Sequence, residues 1–247
     1  VLAQPLIVEA IEENFVPVAI YNNAGGNDKK IRKQFKEPAW NYQVMRFLNP
    51  QLSDIIPRRD KVWDVHSTAK QLVSALEAFD QDVPNYLSNV LIPESDPNNR
   101  FAVFAMHCFW TGEARLGSLD GVVNTEAGFY DGKEVVVVKF NDKQIDLIDV
   151  VRAAEKFDCA HAVYLATKEE KEQITGSTRL KNVSVFDFEG DYRRAPQRDQ
   201  KKQIAKLQAI QGLHLTPMQW TKLNARVVSK DALDKWLSPR QIAKLAK

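Results

Sequence analysis

The sequence predicts an α/β fold built in two parts and followed by a helical tail. Short apolar runs suited to buried strands, at residues 16–21, 101–106, 133–140 and 160–166, alternate with stretches of helical periodicity. An interval with three prolines and several Asp and Asn, residues 81–98, separates the first group from the second and reads as a linker. The last part, residues 207–247, has capped helical segments and no strand pattern.

In the first part, residues 5–14 place Leu6, Ile7, Ala10 and Ile11 at helical spacing. The run 16–21 (VPVAIY) predicts a buried strand, ended by the turn cluster 22–27 (NNAGGN), and residues 28–35 predict a charged helix. Residues 42–48 and 54–56 predict strands around the turn at Asn49 and Pro50. Ser67 is placed to cap a helix carrying Leu72, Val73, Leu76 and Phe79. This strand–turn–helix order resembles a thioredoxin-like domain over residues 1–80. Where thioredoxins carry C-x-x-C, the turn here has only Asn, Ala and Gly. The resemblance therefore implies a scaffold or docking module that cannot exchange disulfides.

In the second part, strand 101–106 runs directly into His107 and Cys108, and a helix is expected over 113–119. A turn and strand follow at 121–128, and then the four-valine strand 133–140. A helix at 145–157, a strand at 160–166 and a helix from Lys168 complete the alternation. The tail repeats the pattern L-[ST]-P-x-Q at 215–219 and 237–241. Each copy puts Ser or Thr at an N-cap, Pro at the first helical position and Gln at the third, which is a capping box.

Composition narrows the function classes. The chain of 247 residues is 44% hydrophobic and 27% charged, as in ordinary globular proteins. No apolar run approaches the ~20 residues that span a bilayer. The net charge is +2, but residues 201–247 hold ten Lys or Arg against two acids, a local excess near +8. With no aromatic-interleaved basic stripe, a tail docked on an acidic body is expected, and no nucleic-acid partner. Two cysteines are too few for a disulfide scaffold and enough for one redox pair. The chain starts at Val1 without an initiator Met, which fits a removed export signal and equally a truncated chain, so a periplasmic or secreted location is the expectation, with a cytoplasmic one as the alternative.

Cys108 sits between a buried strand and a helix, where free N–H groups and the helix dipole favour a thiolate. Residues 107–115 (HCFWTGEAR) resemble the G-C-F-W-x-x-E signature of the A-type peptide methionine sulfoxide reductases. The likeness continues through 119–123 (LDGVV), 127–130 (AGFY) and 132–134 (GKE), where that family has L-x-G-V, G-Y-x-G-G and G-H-A-E. Residues 194–206 are similar to its A-E-x-x-H-Q-x-Y-L-x-K segment. The resemblance implies an α/β sandwich over 99–206 that needs no cofactor. It implies Cys108 as the nucleophile, attacking a sulfoxide sulfur to release methionine and leave a sulfenic acid. Glu134 would then protonate the departing oxygen, and Phe109, Trp110 and Tyr130 would line the substrate pocket. The partners implied are a methionine sulfoxide-containing protein or peptide and an external thiol reductant such as a thioredoxin-type donor.

The sequence departs from the family in three places. His107 replaces Gly, the stretch before Glu134 is shortened so that one of the family's two oxygen-binding tyrosines is lost, and the Gly-rich tail with resolving cysteines is absent. Aligned through Val163 and Tyr164, Cys159 takes the place of a family tyrosine that points at the reacting sulfur. That alignment implies Cys159 as a resolving thiol, closing a disulfide with Cys108 if their Cα atoms lie within about 7 Å. Two other readings use the same chain. His107, Cys108, Cys159 and His161 are donors soft enough for zinc or copper(I), although neighbours on a strand point to opposite faces. Alternatively, a reductase-like domain without its tyrosines could be a non-catalytic binding or assembly protein.

Overall fold

The computed structural model describes residues 3–40, 43–177, 180 and 183–245, arranged in two compact units, Val1–Leu91 and Ile92–Lys247. Tyr42, the expected start of strand 42–48, lies outside the described residues, as do Val1 and Lys247.

The first unit is mainly helical. Helix α1 (Pro5–Asn14) starts where the Gln4 side chain accepts the N–H groups of Leu6 and Ile7. Helix α2 (Gly26–Gln34) is charged, α3 spans Val65–Ala78, and a 3₁₀ turn (Asn85–Leu87) leads into the short α4 (Ser88–Leu91). Leu6, Ile7 and Ala10 of α1 pack with Ala69, Leu72 and Ala75 of α3 and with Tyr86, Leu87 and Val90. The interval read as a linker is thus folded into this core up to Leu91, because Tyr86 and Leu87 supply apolar surface that α1 and α3 need covered. Helix α3 begins earlier than Ser67: the Asp64 carboxylate accepts the Ser67 N–H at 2.7 Å and is the cap.

The sheet expected of a thioredoxin-like domain is not found among the described residues. The described residues of the first unit form only the antiparallel ribbon of β1 (Val44–Met45) and β2 (Arg59–Asp60) and an isolated bridge from Leu48 to Asp54. Residues 16–21 are not a buried strand: Val16 is 90% exposed and Val18 71%. Apolar composition favours burial but supplies no ladder partner, and Pro17 removes one of the N–H donors a central strand needs.

The second unit carries a six-stranded mixed sheet. Its strands are β3 (Asn99–Ala105), β4 (Val122–Tyr130), β5 (Lys133–Asn141), β6 (Ala162–Leu165), β7 (Ser184–Asp187) and β8 (Arg193–Arg194). They are ordered β7-β6-β3-β5-β4-β8, with β6 and β7 parallel and the other neighbours antiparallel. Helices α5 (Phe109–Gly117), α6 (Leu147–Lys156) and α7 (Lys168–Thr175) cover one face. The pleat decides which residues meet them. Ala102, Phe104 and Met106 of the β3 segment and Val136, Val138 and Phe140 of β5 join the helix-side core. Val103, Ala105 and Val135 face the other side, with Tyr130, Ala162 and Tyr164. Gly112 lets α5 lie close on the sheet, since a Cβ there would fall 1.9 Å from the Met106 sulfur.

The C-terminal helices α8 (Gln208–Gln211), α9 (Pro217–Ser229) and α10 (Pro239–Leu245) belong to this unit. Both repeat copies form their capping boxes: Thr216 with Gln219, and Ser238 with Gln241. The two glutamines also join each other, Gln219 Nε2 donating to Gln241 Oε1 at 2.7 Å. Lys222 of α9 is buried and donates to the carbonyls of Gly117 (3.1 Å) and Leu119 (2.5 Å), closing the end of α5.

Glu113 of α5 is fully buried. It accepts the Lys201 backbone N–H at 2.7 Å and the Lys201 ammonium at 3.0 Å, and Thr125 Oγ1 at 3.4 Å. Beside it, the Gln200 side chain pairs with Ala127 as a strand would, accepting its N–H at 3.0 Å and donating to its carbonyl at 2.8 Å. Together they bind residues 200–201 to α5 and β4.

Two predictions follow from these burials. Glu113→Ala leaves the Lys201 charge buried and unpaired, and should cost this unit about 3–5 kcal/mol in denaturant unfolding; a loss below about 1 kcal/mol would contradict the assignment. Burial pushes Lys222 down to about 8. Between there and the ordinary lysine range near 10.4, the folded chain has released a proton that the unfolded chain still holds. Stability should therefore rise with pH through that window, and the wild type should gain on Lys222→Met as pH is raised from about 8.

Candidate active site

The second unit ends β3 at Ala105, and three residues later the chain turns into α5 with Cys108 as its N-cap residue. The first N–H groups of a helix have no partner within it. Cys108 has extended backbone and its side chain makes no capping hydrogen bond. The cap comes from β5 instead: Glu134 Oε2 accepts the Phe109 N–H at 2.9 Å. A carboxylate is thereby held one residue from the thiol, at the positive end of the helix dipole. Cys108 is partly exposed and free, while His107 beside it faces solvent.

Aromatic rings surround this point. Phe109 is buried and packs edge-on against Phe129 (5.5 Å between centroids) and tilted against Trp110 (5.9 Å). Each outer ring carries a cation: Lys202 Nζ lies 4.4 Å from the Trp110 ring and the Arg193 guanidinium 4.3 Å from Phe129. Phe129, Arg193 and Lys202 were not singled out in the sequence, but a signal for Phe129 was present. Asp131 and Gly132, both with positive φ, form the two-residue Asp-Gly hairpin that joins β4 to β5. That turn pairs Tyr130 with Lys133 and Phe129 with Glu134, and directly paired residues share a face.

The same register corrects the expectation for Tyr130. It points to the opposite face of the sheet, where its ring packs against Tyr164 and Phe188, each at 4.8 Å. Its hydroxyl is engaged with the backbone of Glu189, accepting the N–H at 2.8 Å and donating to the carbonyl. Tyr130 is a packing residue of that face and is not beside Cys108.

Cys159 lies in the loop between α6 and β6, 2% exposed and within the helix-side core that also holds Phe109. Its thiol donates to the Phe157 carbonyl at 3.4 Å, and Arg115 of α5 donates to that same carbonyl. Burial pushes the Cys159 thiol up, and Arg115 pulls it down. The metal reading is not supported by this arrangement. No group of three His, Cys, Asp or Glu able to hold an ion occurs among the described residues, and His161 instead lies 3.6 Å from Asp158 on the surface.

The unit thus belongs to the class of mixed α/β domains that present a cysteine at a strand-to-helix turn. No model of a known protein family matches the chain. A stretch of 50 residues is 38% identical to peptide methionine sulfoxide reductase A5 of Arabidopsis thaliana, and the match covers 20% of this chain and 20% of that protein. The chain therefore matches about one fifth of the length of this curated relative. Two solved structures align at a TM-score of 0.36. Mxr1 from Saccharomyces cerevisiae, in an unusual oxidised form, is 16% identical over 40% of this chain and 78% of that one. Methionine sulfoxide reductase A of Corynebacterium diphtheriae is 15% identical over 46% of this chain and 77% of that one.

Exposure and burial separate the two thiols. In the native protein Cys108 should be alkylated by iodoacetamide at least about tenfold faster than Cys159, read by mass spectrometry of the two peptides. Equal rates would contradict the burial of Cys159.

Proposed function

We propose that the second unit reduces methionine sulfoxide with Cys108 as nucleophile and Glu134 as the proton donor. The observation that carries this reading is the hydrogen bond from Phe109 N–H to Glu134, which holds an acid next to the N-cap cysteine. The local likeness to an A-type peptide methionine sulfoxide reductase supports it.

The chemistry runs from these residues. The Cys108 thiolate attacks the sulfoxide sulfur, whose bond to oxygen is polarised and needs a proton before it breaks. Glu134 is fixed through one oxygen and can carry that proton on the other. The protonated oxygen passes to the Cys108 sulfur as the bond between the two sulfurs breaks, so methionine leaves with that electron pair and Cys108 is left as a sulfenic acid. Phe109, Trp110 and Phe129 form the apolar surface for the substrate's S-methyl group, and aromatic rings attract such sulfurs by about 0.3–1.5 kcal/mol. The substrate class is methionine sulfoxide, free or within a protein, and an external thiol reductant returns the enzyme to its starting state.

The test is methionine formation from methionine-S-sulfoxide with a dithiol reductant. Cys108→Ser should abolish it. Glu134→Gln keeps an acceptor for Phe109 N–H but cannot donate a carboxylic proton, and should lower kcat by about 10²–10⁴-fold. No methionine from pre-reduced wild-type protein would overturn the reading.

A further inference from the structure

One charge on the helix side of the sheet has no task in that chemistry. Antiparallel pairing sets Arg193 of β8, Phe129 of β4 and Glu134 of β5 side by side on three neighbouring strands. Directly paired residues share a face. The row therefore runs from the edge of the sheet to the acid that accepts the Phe109 N–H at 2.9 Å. At its outer end the Arg193 guanidinium lies 4.3 Å from the Phe129 ring centroid. That ring is in turn 5.5 Å from the ring of Phe109, the residue after Cys108. The neighbouring cations are already matched. Arg194, one residue on and so on the opposite face, donates to Glu126 at 2.8 Å, and Lys202 over Trp110 lies 3.2 Å from Asp199. Arg193 is exposed and has neither an ion pair nor a hydrogen bond among the described residues; its partner is the ring.

We propose that Arg193 sets a substrate preference, binding a carboxylate carried within about two residues of the methionine sulfoxide. The proposal rests on the sulfoxide reading and names its substrate more closely, as oxidised methionine beside an acidic group. Contact with the Phe129 ring restrains the guanidinium without using up its five N–H donors. A side chain restrained in advance loses less entropy when an acceptor arrives. The acceptor that fits a guanidinium fork is a carboxylate, taken by two parallel hydrogen bonds. A single negative charge also balances the site, because Asp199 already answers Lys202 and one unmatched cation is left. The carboxylate has two sources, an Asp or Glu side chain next to the oxidised methionine or the substrate's own α-carboxylate.

The experiment measures sulfoxide reduction, with a dithiol reductant, in short peptides blocked at both ends. Each holds one methionine-S-sulfoxide flanked by Asp, by Asn or by Lys; N-acetylmethionine sulfoxide and its amide test the α-carboxylate. In wild-type protein the Asp peptide should have a KM at least about threefold below that of the Asn peptide, with the Lys peptide highest. The gap should close as salt is raised toward 1 M, where charges are screened beyond about 3 Å. Arg193→Gln should raise the KM of the Asp peptide to that of the Asn peptide, and Arg193→Lys should restore much of the gap. Lys171→Gln removes the same charge beside β7, at the far edge of the sheet, and should keep the gap. A merely structural role for Arg193 would move all the peptides together, so the Asp-to-Asn ratio is the readout. An Arg193-dependent gap in the peptides assigns the carboxylate to a neighbouring side chain; one seen only between the acetylated acid and its amide assigns it to the α-position. Equal KM for acidic and neutral substrates in wild type, or a gap that survives Arg193→Gln, overturns the proposal while the reductase reading stands. No reduction of any substrate removes the reductase reading and the proposal with it.

Discussion

The hydrogen bond between the Phe109 N–H and the Glu134 carboxylate is the joint on which the site depends. It exists because a helix cannot satisfy its own first N–H groups and because the N-cap residue here is a cysteine, whose side chain makes no capping bond. The missing acceptor is supplied from the neighbouring strand, so the helix start and the acid are placed by one interaction. Its position is set in turn by the two-residue hairpin at Asp131 and Gly132. A slip of one residue in that register would put Lys133 at the helix start and send Glu134 to the opposite face.

The second constraint lies at the other side of α5. Glu113 and Lys201 are charged groups buried against each other, an arrangement that contributes little net stability but is costly to disturb. Its effect is to hold residues 200–201 in one place, where Gln200 extends the edge of β4 by bonding Ala127. The segment from Arg193 to Lys202 is anchored at its start by the pairing of β8 with β4 and near its end by Gln200 and Lys201, and its two cations settle on the rings of Phe129 and Trp110. A buried ion pair, a strand-mimicking glutamine and two cation–ring contacts thus complete a surface that begins with a single cysteine.

The two units differ in how far local pattern could be trusted. In the second, strands 101–106, 133–140 and 160–166 were legible because long β-branched and aromatic runs find neighbours in one sheet. In the first, helix Pro5–Asn14 was legible from its periodicity, while residues 16–21 looked like a strand and are exposed. A helix closes its hydrogen bonds within itself, whereas a strand is only as real as the partner beside it. The thioredoxin-like expectation rested on an order of strands and helices, and the described residues of the first unit do not form the sheet it needed.

Much of the site was already written in the chain. A cysteine between a strand and a helix could be named from residue type and order, while the aromatic pair after it and the acid in the four-valine strand were named through the resemblance to a known family's motifs. Local chemistry also specified the repeated caps at Thr216 and Ser238, because a capping box needs only residues three apart. Folding decided everything that depends on face and register. It turned Tyr130 away and brought Phe129 in, brought Arg193 and Lys202 onto the rings, and carried Arg115 from the helix that Cys108 begins to the loop of Cys159. These contacts join residues 25 to 80 or more positions apart for most of the pairs that matter, such as Phe109 with Glu134 and Lys201 with Glu113. No local pattern encodes which side of a pleated sheet such partners share; that follows only once the strands have paired.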